Sequence, residues 1–70
     1  MKYAVVIERG TDSYGAYVPD LPGCFAAGTT REGVLSLIEE VISFHIEGLR
    51  EDGLLVPQPT SSTELVEVAA

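Results

Sequence analysis

The chain has 70 residues, of which 46% are hydrophobic and 21% are charged, and its mean hydropathy is +0.23. This composition excludes low-complexity disorder, and the length allows a single domain, residues 1–70, whose thin core favours a dimer or higher homo-oligomer. Eleven acidic residues against four basic ones give a net charge of −7, which opposes binding to a phosphate backbone and favours binding to a basic protein.

The first 30 residues predict an antiparallel meander of three strands. The β-branched run 3–7 and the run 14–18 read as two strands joined by a polar, glycine-containing turn. Residues 21–24 read Leu-Pro-Gly-Cys, which places Pro and Gly at the two central positions of a type II turn. A short third strand is predicted at 24–28.

A capping box marks the start of a long helix. Thr29 and Glu32 stand three residues apart, which predicts Thr29 as the N-cap, with Thr30 as the alternative cap. The helix is predicted over 30–51, and it ends where Gly53 can take the left-handed conformation.

Residues 63–68 predict a fourth strand, which follows an extended connection that contains Pro57 and Pro59. The resulting order βββαβ is an α+β fold in which one helix lies across a single sheet. Because the helix runs back, the fourth strand is expected to be parallel to the first and third strands. Chain adjacency alone favours the third strand as its neighbour.

The apolar positions of the predicted helix cover an arc of about 200°, roughly twice the width that packing on one sheet requires. The excess predicts a second contact, with another copy or with a partner, unless the loop around Pro57 and Pro59 shields it. The candidate oligomer contacts are Leu37, Phe44, His45 and Ile46. The candidate contacts to a basic partner are Glu39, Glu40, Glu47 and Glu51.

No residue pattern predicts a catalytic, cofactor or metal site. His45 is the only histidine, and a packed or interface role, with one ring nitrogen on a backbone carbonyl, is expected for it. Cys24 has neither a histidine base nor a second cysteine near it in sequence, which favours a small buried side chain. A metal-dependent nuclease needs converging carboxylates, and the first strand has only Glu8 at its end. No enzymatic activity is therefore expected.

The longest uninterrupted apolar run is at 3–7, so no segment is expected to span a membrane. The chain opens with strand-like sequence rather than a signal peptide, and its single cysteine suits a reducing compartment. These features predict a cytoplasmic protein.

A proline-rich turn, followed by a capped helix and a Pro-x-Pro connection, resembles the N-terminal domain of HicB-type antitoxins. The resemblance covers residues 3–60. The turn and helix-start residues that carry it are Pro19, Asp20, Leu21, Pro22, Gly23, Cys24, Gly28 and Thr29. The chain departs from the family pattern at Thr29, where Asp or Asn is common, and at Gly33 and Val34, where Glu-Ala is usual.

The resemblance implies a partial RNase H-like fold without nuclease residues, in which the fourth strand neighbours the first (order 3-2-1-4). It implies binding and neutralisation of a small basic mRNA interferase of the HicA kind. Longer relatives continue with a DNA-binding domain near the position of Ala70, so no such domain and no DNA binding by the chain alone are expected here. The alternative is a free-standing oligomeric binding or regulatory domain without a toxin partner.

Overall fold

Three antiparallel strands followed by one helix form the protein in the computed structural model, which describes residues 1–70. The elements are β1 (Val6–Arg9), β2 (Tyr14–Tyr17), β3 (Phe25–Gly28) and α1 (Arg31–Glu51). The sheet order is β1-β2-β3, and the helix packs across β2 and β3. The predicted α+β class and the three-stranded meander are confirmed. The helix lacks the apolar length that crossing a bilayer would require.

The register of the sheet divides its side chains between two faces. Ala16 is buried against the helix, and its cross-strand neighbours Ile7 and Ala26 pack on the same core. Because side chains alternate along a strand, the residue next to each of these three in its strand lies on the opposite face of the sheet. This set, which we call the outer row, is Val6, Tyr17 and Phe25.

The turn between β2 and β3 has the geometry that its sequence predicts. The N–H of Cys24 donates to the carbonyl oxygen of Leu21 at 3.1 Å, and Gly23 has a φ of 90°. A type II turn needs this positive φ at its third position, where only glycine is unstrained. The turn brings Leu21, which has no exposed surface, into the core.

The core is small. Its six buried side chains are Ala16, Val18, Leu21, Cys24, Val34 and Ile38. Two of the six come from the first half of the helix and four from β2 and the turn that follows it. The isolated chain therefore buries little apolar surface, as is usual for domains of this size.

The helix begins one residue later than the capping box indicates. Thr30 has an extended backbone, and its Oγ1 accepts a hydrogen bond from the N–H of Gly33 at 3.0 Å. Thr30 is therefore the N-cap, and the choice of Thr29 was wrong. The third residue after the cap is then Gly33 rather than Glu32, so the returning glutamate bond of a capping box is not formed.

The predicted end of the helix is confirmed at Gly53, whose φ is 70°. Its N–H donates to the carbonyl oxygen of Arg50 at 3.1 Å, and the N–H of Leu54 donates to that of Leu49 at 2.9 Å. This pair of bonds is the Schellman arrangement, which satisfies two terminal carbonyls and turns the chain away from the helix axis.

The fourth strand predicted at 63–68 is not formed, and the strand order 3-2-1-4 is wrong for this chain. Every residue from 60 to 70 is exposed. Just before this segment, Asp20 accepts hydrogen bonds from Thr60 and Ser61. These bonds hold residues 60 and 61 beside the link from β2 to β3.

Candidate protein-binding surfaces

The exposed side of α1 concentrates negative charge around one aromatic side chain. The ring of Phe44 is 80% exposed. A shallow depression at this ring is otherwise lined by polar side chains alone, which are Ser36, Glu39, Glu40, Ser43 and Glu47. We call this surface the acidic face. Glu51, also exposed, lies one helical turn beyond Glu47.

Helical spacing explains how the acidic face is built. Glu40 precedes Phe44 by four residues and Glu47 follows it by three, so both carboxylates flank the ring on one surface. The depression contains no basic side chain. An exposed aromatic ring with a polar rim is typical of an interface anchor, because the rim excludes water from the ring once a partner is bound. Three of the four predicted acidic contacts lie together here, and their role stays a prediction.

The four residues predicted as oligomer contacts do not share one surface. Leu37, which is 40% exposed, lies on the same side of the helix as Phe44. Ile46 lies on another side, in a groove beside the N-terminal segment. His45 is half-buried between them, and the predicted hydrogen bond from its ring to a backbone carbonyl is not formed.

A second surface, which we call the β1–α1 groove, lies between the N-terminal segment and the helix. Its volume is about 800 Å³. The apolar side chains that line it are Met1, Tyr3, Val5, Leu35, Ile38, Ile42 and Ile46. Glu39, Ser43, Glu47 and Arg50 complete the lining. The groove exists because the helix lies over β2 and β3 and leaves its β1 side uncovered.

The β1–α1 groove accounts for part of the excess apolar width of the helix, which we call its apolar stripe. No local pattern in the sequence indicated that an open groove would result. The Tyr3 hydroxyl donates to the carbonyl oxygen of Pro57, which ties the connection after the helix to the N-terminal segment. No residue of that connection lines the groove. The loop around Pro57 and Pro59 therefore does not shield this part of the stripe.

Asp20 of the β2–β3 turn is hydrogen-bonded to residues 60 and 61 of the C-terminal segment. Its Oδ2 accepts the backbone N–H groups of Thr60 and Ser61 at 3.0 and 2.9 Å. Its Oδ1 accepts their hydroxyls at 3.1 and 2.8 Å. The backbone N–H and the hydroxyl of Ser61, followed by the bonds from Thr60, lower the pKa of Asp20. Asp20 belongs to the turn motif that the sequence showed, but its partners Thr60 and Ser61 are 40 and 41 residues away and left no local signal.

Replacing Asp20 with alanine is expected to raise the amide exchange rates of Thr60 and Ser61 by about 3- to 10-fold, because both N–H groups lose an ionised acceptor. The matched control is Asp12→Ala, which removes an exposed carboxylate of the β1–β2 turn. Hydrogen exchange measured by NMR, expressed as protection factors, reports the effect. Equal rates in the two variants would show that the carboxylate does not hold the segment.

The same contact has a defined pH dependence. The folded-state pKa of Asp20 is lowered. The stabilisation that its carboxylate gives to residues 60 and 61 is therefore complete above the unfolded pKa of about 3.9. It is lost as the pH falls through the lower, folded-state pKa. Protection of Thr60 and Ser61 should therefore disappear at acid pH in the parent chain, and Asp20→Ala should show no such transition.

The buried thiol of Cys24 is not placed for chemistry. Cys24 is free and buried, and burial raises the pKa of its thiol. The protonated thiol is a poor nucleophile, and the side chain packs as a small apolar group, as predicted. No group of three His, Cys, Asp or Glu side chains is close enough to hold a metal ion.

The outer row is the remaining exposed apolar surface of the sheet. Phe25 is 71% exposed, and its neighbour Tyr17 is also exposed. Val6 continues the row onto β1. This surface lies on the face of the sheet opposite the helix, so it can be tested separately from the acidic face.

Residues 3–69 match the model of a family described as HicB_like antitoxin of bacterial toxin-antitoxin system. A chain in a solved structure of a HicA3 and HicB3 toxin-antitoxin complex has a TM-score of 0.72 and 33% sequence identity with this chain. The similarity covers 86% of this chain and 70% of that one.

Two relatives match at higher identity. An uncharacterized 14.9 kDa protein from the rep-hol intergenic region of Haemophilus phage HP1 is 47% identical over 58 residues, which are 83% of this chain and 44% of the phage protein. A UPF0150 protein of Thermoplasma acidophilum is 41% identical over 59 residues, which are 83% of this chain and 86% of that protein. The chain thus spans less than half the length of the phage protein and most of the Thermoplasma one.

Proposed function

This chain belongs to the HicB_like antitoxin family of bacterial toxin-antitoxin systems, and we propose that it binds and neutralises a small, basic, RNA-cleaving toxin of the HicA kind. The similarity to a chain of the HicA3 and HicB3 complex, at 33% identity, supports this partner. The proposed compartment is the cytoplasm, where such a toxin would meet its RNA.

The acidic face carries the proposal. A protein that cleaves RNA holds phosphates with cationic side chains, so its substrate-binding surface is basic. The acidic face offers carboxylates of Glu40 and Glu47 on both sides of Phe44, with no basic side chain among them. Carboxylates can occupy the positions of phosphates on the toxin, and the ring supplies the apolar contact that a phosphate backbone lacks.

Neutralisation by this route needs no chemistry from the antitoxin. Occupying the basic surface excludes RNA, because both ligands need the same cationic groups. The net charge of −7 adds a long-range attraction that speeds the encounter at low salt. We therefore propose a non-catalytic role, in which inhibition is stoichiometric.

The test takes as candidate toxin any short basic protein encoded beside this chain, with a labelled RNA as substrate. Cleavage is expected to fall in proportion to added antitoxin and to stop near equimolar amounts. The antitoxin alone should leave RNA and DNA intact in magnesium or manganese. If the neighbouring gene product does not bind, a free-standing binding domain becomes the better account.

A further inference from the structure

The face of the sheet opposite the helix carries an aromatic ridge beside a low area. The ridge is the outer row, in which the rings of Tyr17 and Phe25 are exposed. Two residues along each strand, on the same face, the register places Gly15 beside Ala27. We call this pair the hollow, since neither residue has more than a methyl group. The helix packs on the other face of the sheet and covers neither the ridge nor the hollow.

Nothing within the chain requires a glycine at position 15. Its φ is not positive, and its pairs with Glu8 and Ala27 lie in continuous register, so it marks no bulge. A Cβ built there would approach only the carbonyl oxygen of Ala26, at 3.9 Å, which is an ordinary contact. Glycine weakens the interior of a strand, and one that forms no bulge or bend is typical of a place where another surface approaches closely.

The charge distribution decides which partner fits this face. Among the six residues that the pairing places on it, Glu8 alone is charged, whereas α1 has five acidic and two basic residues. A basic protein is therefore attracted to the helix rather than to this face. Two copies of a chain with a net charge of −7 repel each other, and they repel least when the acidic helices lie on the outer sides of the pair. This favours a second copy.

A two-fold axis makes the ridge and the hollow complementary. The axis lies between the two faces and runs across the strands, so it reverses the strands of the second copy and leaves each strand over its equivalent. It exchanges the two rows, which places Tyr17 over Gly15 of the second copy and Phe25 over Ala27 of the second copy. The axis repeats both contacts. Glu8 lies on β1 at the edge of the sheet, where its carboxylate stays in water.

We propose that two copies of this chain associate face to face, with the outer row of each packed into the hollow of the other. The sheets then lie about 10 Å apart, with their strands about 30° from alignment. Each strand contributes four residues, so the interface is small, and we expect a dissociation constant on the order of 100 µM. The acidic face of each copy stays open to a toxin, because the helices lie outside.

Filling the hollow tests the proposal. Gly15→Val adds a side chain for which its own chain has room, and valine favours extended structure, so the folded chain should not lose stability. In the dimer the new side chain would meet Tyr17 of the second copy. Sedimentation equilibrium of the 7.5 kDa chain should show a dissociation constant raised about 10-fold or more.

Two phenylalanine variants form a matched pair. Phe25→Ala removes half of the aromatic ridge and should also raise the dissociation constant about 10-fold. Phe44→Ala truncates an equally exposed type of ring on the helix and should leave the dimer unchanged. Thermal unfolding at concentrations well below the dissociation constant checks that each variant is folded as a monomer.

Salt and concentration give two further measurements. Added salt screens the repulsion between copies of like charge, so it should tighten the dimer. In NMR spectra recorded at rising concentration, the amide signals of Gly15, Tyr17, Phe25 and Ala27 should move, and that of Phe44 should stay in place.

Three results would overturn the proposal. One is a parent chain that remains monomeric up to about 500 µM. Another is a Gly15→Val variant that associates as tightly as the parent, because a fitted hollow would then play no part. The third is a set of concentration-dependent NMR shifts confined to the helix or to the edge of β1. All of these experiments use the antitoxin alone, so failure of the association and failure of the proposed function are distinguishable.

Discussion

Replacing Phe44 with alanine is expected to weaken binding to the proposed toxin by about 30-fold or more, the loss of about 2 kcal/mol that marks an interface anchor. The ring is 80% exposed in the free chain, so it contributes little to the folded core. In a complex it would be the largest apolar group that the acidic face can bury. Isothermal titration calorimetry against the cognate toxin measures the change.

The matched control for this prediction is Phe25→Ala. It makes the same truncation of an exposed ring, which is 71% exposed and lies on the outer row. Little change in toxin affinity is expected, because the outer row is on the face of the sheet opposite the helix. If Phe25→Ala weakens the complex and Phe44→Ala does not, the toxin contacts the sheet, and the acidic face is only a solvated surface.

Thermal unfolding separates binding from folding in both variants. Neither ring is part of the buried cluster, so both melting temperatures should stay within a few degrees of that of the parent. A large loss of stability in Phe44→Ala would mean that its effect on affinity could not be assigned to contact with the toxin.

Local signals in the sequence were sufficient for the turn and the helix. The Pro-Gly pair of the type II turn and Gly53 at the helix end act through their own backbone angles, and both are confirmed. The N-cap was displaced by one residue because Thr29 and Thr30 offer the same hydroxyl. Which of them caps the helix depends on how the chain leaves β3, which lies outside a local pattern.

The local sequence pattern alone could not decide whether residues 63–68 form a fourth strand. Residues 63–68 have a strand pattern, but a strand also needs a neighbouring strand to pair with. The hydrogen bond from Ser61 to Asp20 fixes the position of Ser61, just before this segment. The sequence places Asp20 and Ser61 in different segments, 41 residues apart. The pattern identified a segment with a preference for extended structure, and in the folded chain this segment pairs with no strand.

The sequence also indicated part of the geometry of the exposed surfaces, whose roles stay predictions. The period of the helix sufficed to group Glu40 and Glu47, since residues on one helix share a face by geometry alone. The period also showed more apolar width than one sheet covers. It could not show that part of this width would open as a groove beside β1, because that depends on the helix lying over β2 and β3.

Reversing the charge of the acidic face is expected to slow association with the toxin. Changing Glu39, Glu40, Glu47 and Glu51 together to lysine should reduce the association rate constant by at least about 10-fold at low salt, the lower end of electrostatic steering effects. All four side chains are exposed, so the substitutions leave the core unchanged. Stopped-flow or surface-plasmon measurements across a salt series report the rate.

A pair of matched double variants shows whether position or total charge matters. Glu40→Lys with Glu47→Lys and Glu8→Lys with Asp12→Lys change the net charge equally, but only the first pair flanks Phe44. Steering by the acidic face predicts a slower rate for the first pair and a smaller change for the second. The difference should shrink as salt shortens the Debye length to about 10 Å at 0.1 M. Equal rates in both pairs would mean that the net charge of the chain attracts the toxin and that the acidic face has no special part in the encounter.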